Sequence, residues 1–164
     1  TQTNLAGGRK KSDSGKLILR KPGRMRWEYD SGNIFVTDGK TVWFYQPGAN
    51  RAEYSKVKES EDLRAPLAFL LGRLDFKKLF KEVREESNEI VAIPKSDKAP
   101  YSEVRFIADA SGIIEYVKVT GQDASVMEFS FRNQKRNVPT QDSQFKFAPP
   151  PGTEVVEVSE DSAQ

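Results

Sequence analysis

The 164 residues include no histidine and no cysteine. Their absence removes the commonest general base, the commonest transition-metal ligand, the thiol nucleophile and any disulfide. Chemistry would therefore fall to carboxylates and lysines. The acidic groups cluster as Glu59, Glu61 and Asp62, as Glu85 and Glu86, and as Glu160 and Asp161. Two carboxylates flanking a sugar linkage could act as glycosidase acid and base, and several together could hold a hard cation. These spacings establish neither, because only the fold could bring the clusters together. The chain also has no glycine-rich phosphate loop and no nucleophile elbow. It is read as a non-enzyme with no cofactor and no metal, a carboxylate hydrolase being the residual enzymatic alternative.

Two other groups of residues could bind something. Arg20, Lys21, Arg24 and Arg26 form a basic cluster. The simpler reading is a solvated strand face; the functional one is a dock for an acidic partner or lipid headgroups. With 26 basic against 24 acidic side chains the net charge is +2, too balanced to argue for nucleic acid. The second group is aromatic and apolar. Met25, Trp27 and Tyr29 alternate along one strand face, and Met127, Phe129 and Phe131 along another. Such faces serve as ordinary core or as the wall of an apolar ligand cavity, and the pattern leaves both open. Leu67 to Leu71, which includes Phe69 and Leu70, is apolar all round and short enough to move as a lid.

The elements that would position these residues are mostly strands. Strands are expected at 16–21, 24–30, 34–37, 40–46 and 52–57, broken by Pro22-Gly23, Asp38-Gly39 and Pro47-Gly48. An Asp-Gly pair between apolar runs is a strong hairpin signal. Residues 6–14, glycine, serine and charge without a period, read as a loop after a short strand tail at 1–4. Asp62, Pro66 and Gly72 bracket a helix around Leu67–Leu71, and a second helical segment is expected at 75–86. Strands return at 89–93, 102–108, 113–120 and 126–132, with Phe145 and Phe147 on a short one and an edge strand at 154–158.

About nine or ten strands with short helices make a mainly β (α+β) protein. The expected architecture is one antiparallel sheet wrapped into an incomplete barrel, with helices over its open side. Residues 1–158 are taken as a single domain that buries roughly 70% of its unfolded surface, and 159–164 as a flexible tail. No apolar run approaches the ~20 residues that span a bilayer. The chain opens at Thr1 without a basic-then-apolar leader and is read as a processed form or fragment.

Four blocks, LILRKPGRMRWEYD, IFVTDGKTVWFYQPGANRAEY, APLAFLLGR and FKFAPPPGTEVVEV, resemble in order and spacing the outer-membrane lipoprotein carrier protein family, LolA. The resemblance implies a half-barrel with a helical lid over an apolar cavity. It implies a periplasmic, monomeric carrier that takes acylated lipoproteins from an inner-membrane transporter and passes them to an outer-membrane receptor. Met25, Trp27, Tyr29 and Phe35 match cavity-facing positions and Leu70 a lid position; Phe69, Met127 and Phe129 complete the expected acyl site. Lys21 stands where the family typically has an arginine that holds the lid, and lysine lacks the planar five-donor fork. The amphipathic helix usual before the first strand has no counterpart here. A regulatory module that senses lipid or mislocalised lipoprotein with the same fold is the alternative, and the related outer-membrane receptor a third.

Overall fold

The computed structural model describes residues 1–6, 9–20, 23–57, 64 and 80–158. Among these residues there are thirteen strands and two short 3-10 turns. The chain divides into two compact units, residues 1–13 with 74–136, and residues 14–73 with 137–164.

The first unit carries a seven-stranded sheet. Its strands are β1 (Gln2–Ala6), β2 (Arg9–Asp13), β8 (Phe80–Glu86), β9 (Glu89–Pro94), β10 (Tyr101–Ala108), β11 (Ile114–Gly121) and β12 (Val126–Ser130), in the order β2-β1-β12-β11-β10-β9-β8. All neighbours are antiparallel. Residues paired directly across strands share a face, so Phe106, Val117, Phe129 and Gln2 form one row, and Val104, Val119 and Met127 the next. Most of these side chains are fully buried, with Met127 half-buried. The opposite face carries Arg105, Lys118 and Glu128. Such alternation gives a sheet one dry and one wet side.

The second unit carries a six-stranded sheet of β3 (Gly15–Arg20), β4 (Arg24–Tyr29), β5 (Ile34–Thr37), β6 (Thr41–Gln46), β7 (Arg51–Lys56) and β13 (Glu154–Glu157). The order is β13-β7-β6-β5-β4-β3. The β5–β6 hairpin turns at Asp38-Gly39 as expected. Gly39 takes φ 94°, and the N–H groups of Lys40 and Thr41 both donate to Asp38 Oδ1 at 2.9 Å. Gly15 opposes Tyr29 across β3–β4, and a Cβ there would lie 2.7 Å from Tyr29 Cα and closer still to the Glu28 carbonyl oxygen. Because both are backbone atoms, Gly15→Ala is expected to cost about 1–3 kcal/mol, read as a lower urea midpoint. An unchanged midpoint would mean that the two strands separate at little cost.

Several expectations are corrected. Among the described residues the strands form two sheets in place of one wrapped sheet, and no sheet closes into a barrel. Antiparallel sheets of this strand number tend to split in preference to accumulating twist. Residues 9–13, read as loop, form the edge strand β2, whose charge is what an exposed edge tolerates. Residues 80–86, read as helix, form β8. Only Phe80 of that strand is buried, so its Lys/Glu pattern reflects an exposed edge and not a helix face. A two-residue loop joins β8 to β9, with Ser87 at φ 50° and Asn88 at φ 69°, the left-handed pair that tight hairpins require. The residues around Phe145 form a 3-10 turn, Asp142–Phe145, in place of a strand. The edge strand β13 is present but pairs in parallel with β7. The expected lid, Leu67–Leu71 with Phe69 and Leu70, lies outside the described residues, as does Lys21. No helical lid is seen among the described ones.

Candidate functional site

β4 places Met25, Trp27 and Tyr29 on one face of the six-stranded sheet, and the register extends that face across its neighbours. Trp27 lies beside Leu17 on β3 and Phe35 on β5, and Phe35 lies beside Phe44 on β6. Met25 sits between Leu19 and Thr37. Met25 and Phe35 are 0% exposed, Trp27 2% and Tyr29 6%. The Trp27 and Tyr29 rings stack at 5.1 Å with planes 11° apart. Four of the expected acyl-site residues, Met25, Trp27, Tyr29 and Phe35, therefore form one continuous apolar surface. Met127 and Phe129 belong to the seven-stranded sheet of the other unit. Phe69, Leu70 and Lys21 are outside the described residues.

The patterns missed one member of this face. Arg64 is 6% exposed. Its guanidinium carbon lies 4.2 Å from the Phe44 ring centre, 4.6 Å from that of Phe35 and 5.7 Å from that of Tyr29. Arg64 Nη1 donates to the Tyr29 hydroxyl at 2.9 Å. A desolvated cation over an aromatic face is stabilised by roughly 2 kcal/mol, and the planar guanidinium stacks as a lysine ammonium does not. Nothing in the sequence periodicity marks Arg64, since a single basic residue beside an apolar run reads as a flank. A cation is thus built into the surface expected to receive acyl chains.

The opposite face of the same sheet is covered by residues 142–147. Phe145 is 3% exposed, and Phe147 packs 5.4 Å from Trp43 and 5.3 Å from Tyr45, ring centre to ring centre. Arg20 and Arg24 both reach Asp142 Oδ1, at 2.6 and 3.3 Å. Arg26 pairs with Glu28 at 2.8 Å and donates to the Gln144 carbonyl at 3.3 Å. The described members of the basic cluster thus hold this crossing segment, and exposed pairs of that kind stabilise by no more than about 1 kcal/mol. A groove of about 550 Å³ lies on this side, lined by Trp43, Tyr54, Phe147, Lys56 and Glu157 among others.

Of the acidic clusters only Glu85 and Glu86 fall among the described residues, the other two lying outside them. Glu86 lies 3.3 Å from Arg84 and 3.9 Å from Arg105, and Arg105 also reaches Glu89 and Glu103 at 3.1 Å. Bonds to Glu103 and Glu89 raise the Arg105 pKa, so this cation stays charged throughout. A carboxyl acting as general acid needs its pKa raised toward the working pH. Asp38 and Asp123 both lie below the ordinary carboxylate value, the opposite direction. Burial pushes Asp38 up, but the N–H groups of Thr41 and Lys40 outweigh it; the Ser125 hydroxyl and N–H lower Asp123. Among the described residues no group of three or more His, Cys, Asp or Glu side chains could hold a metal ion. No helix among them is long and apolar enough to cross a membrane.

The geometry is a buried aromatic face on one side of the six-stranded sheet, and the sequence has relatives of known description. An outer-membrane lipoprotein carrier protein from Chromobacterium violaceum is 28% identical over 94% of this chain and 77% of its own length. Proteins of the same description from Nitrosomonas europaea and Serratia proteamaculans are 27% and 25% identical, covering 87% and 93% of this chain and 72% and 75% of their own. A crystal structure of a conserved protein from Thermus thermophilus superposes on 86% of this chain and 78% of its own, with TM-score 0.41 and 16% identity. Residues 1–148 match the family described as outer membrane lipoprotein carrier protein LolA, and the chain belongs to that family.

Proposed function

We propose that this protein binds the acyl chains of lipoproteins on the face formed by Met25, Trp27, Tyr29 and Phe35, and carries them through the periplasm without covalent chemistry. The observation that carries this reading is the continuous buried aromatic face on β4 and β5 in a chain of the LolA family. Met127 and Phe129, with Phe69 and Leu70, are proposed to contribute further apolar surface, and Lys21 to act at the gate. The cargo would come from an inner-membrane transporter and leave to an outer-membrane receptor, with the carrier working as a monomer across residues 1–158.

Each buried methylene contributes about 0.8 kcal/mol, so a long acyl chain brings on the order of 10 kcal/mol of gross driving force. A carrier must offset much of that, because the next partner has to bind the chain more tightly. The test uses the two tryptophans. In a Trp43→Phe protein, Trp27 reports alone, and titration with a palmitoylated neutral peptide is expected to change its emission saturably at one peptide per chain. A flat titration with the protein still folded would remove the acyl-binding reading.

A further inference from the structure

The Arg64 guanidinium lies against Phe44, Phe35 and Tyr29, and Phe35 and Tyr29 belong to the surface proposed for the acyl chain. A ring face in contact with a guanidinium 4.2 to 4.6 Å from its centre has no room for a methylene chain on that side. The bond from Arg64 Nη1 to the Tyr29 hydroxyl at 2.9 Å fixes the register of this packing. We infer that Arg64 is an internal competitor for the acyl site: the ligand reaches Phe35 and Phe44 only by displacing the guanidinium. The inference rests on the acyl-binding reading and assigns it a residue that sets affinity.

The physical consequence is a built-in reduction of affinity. When the binding-competent arrangement is a minor fraction of the unliganded protein, the apparent dissociation constant rises by the inverse of that fraction. Aromatic stacking and the tyrosine bond both favour the occupied arrangement. An apolar chain then replaces a cation that regains water on leaving. The chain gains ring contact, and the guanidinium gains hydration in place of the contact it gives up. Binding stays favourable but weaker than the ring surface alone would make it, which suits a protein that must release its cargo.

The experiment compares the full chain with Arg64→Met, Arg64→Lys and Tyr29→Phe, using calorimetric titration with the palmitoylated neutral peptide. A neutral probe keeps direct charge attraction to Arg64 out of the reading. Arg64→Met keeps a long side chain without the guanidinium and is expected to bind roughly tenfold more tightly, as for a competitor that occupies about nine-tenths of the unliganded protein. Arg64→Lys retains the charge without the planar stack and should fall between wild type and Arg64→Met. Tyr29→Phe keeps the ring and removes only the hydroxyl, and should tighten binding by roughly threefold.

Thermal melts supply the second readout. Unliganded Arg64→Met should melt below wild type, and the gap should shrink when both are saturated with peptide, because the bound form no longer uses the Arg64 contacts. A residue that only stabilises the fold would lower the melting temperature equally with and without ligand and would leave affinity unchanged or reduced. If wild type binds and Arg64→Met binds equally or less tightly, the competitor is refuted and acyl binding stands. If neither folded protein binds while the Chromobacterium violaceum relative does, both readings fall.

Discussion

Trp27→Ala is expected to cost about 3–5 kcal/mol of stability, as truncations of large buried aromatics do. It should also weaken acyl binding at least tenfold. The side chain is 2% exposed, stacks on Tyr29 and lies between Leu17 and Phe35 across the sheet, so the cavity left behind is walled by strands that collapse poorly. For a chain of this length the loss corresponds to roughly 10 °C in Tm. Arg24→Glu provides the contrast. Arg24 sits on the other side of β4, where its pairing with Asp142 at 3.3 Å is solvent-exposed, and its loss should cost no more than about 1 kcal/mol and leave peptide affinity within twofold. Equal changes in affinity for the two variants, measured by titration in folded protein, would make Trp27 ordinary core.

The corresponding change in the other unit, Phe129→Ala, should be as costly. Phe129 is 0% exposed and lies in the row with Val117 and Phe106, and its ring is parallel to that of Phe131 at 6.4 Å. A loss of about 3–5 kcal/mol is expected in a urea titration. Its effect on peptide affinity separates two roles for the seven-stranded sheet. The proposed acyl site predicts weaker binding, whereas a purely structural role predicts lower stability with affinity retained. Lys118→Ala, on the polar face of the same sheet, is the control and should change stability by less than about 0.5 kcal/mol.

The parts of the fold legible in the sequence are those where one strand face is dry and the other wet. β4, β5 and β6 were readable from the alternation of Met25, Trp27 and Tyr29 and from the Asp38-Gly39 turn, because alternation and turn chemistry are local and agree with the register. Two of the edge strands, β2 and β8, were not readable. β2 is Arg-Lys-Lys-Ser-Asp, and β8 buries only Phe80; a strand hydrogen-bonded on one side and solvated on both faces carries no period-two signal. The parallel seat of β13 beside β7 depends on a partner about a hundred residues away, and no local pattern encodes that. The division into two sheets is likewise a property of accumulated twist and not of any segment.

The candidate site divides along the same lines. Met25, Trp27 and Tyr29 were legible as one apolar face because alternation is local, and Phe35 joined them only through the family resemblance; the register places all four on one face. Arg64 was not legible, because a buried cation is defined by what surrounds it: three rings and a hydroxyl drawn from β4, β5 and β6. Its only sequence cue is a lone arginine just before Ala65 and Pro66, ahead of the apolar Leu67–Leu71 run. The basic cluster at Arg20, Arg24 and Arg26 showed the reverse. Conspicuous in the sequence as a possible dock, it binds the chain's own segment 142–147.

The most direct test of a carrier is transfer. Membranes loaded with a lipoprotein and containing its inner-membrane transporter are incubated with the protein and ATP, and the soluble fraction is sized. A one-to-one complex of protein and lipoprotein in that fraction, lost with Trp27→Ala and retained with Arg24→Glu, is the predicted result. Lipoprotein that stays in the membrane while the Chromobacterium violaceum relative releases it in parallel would contradict the account.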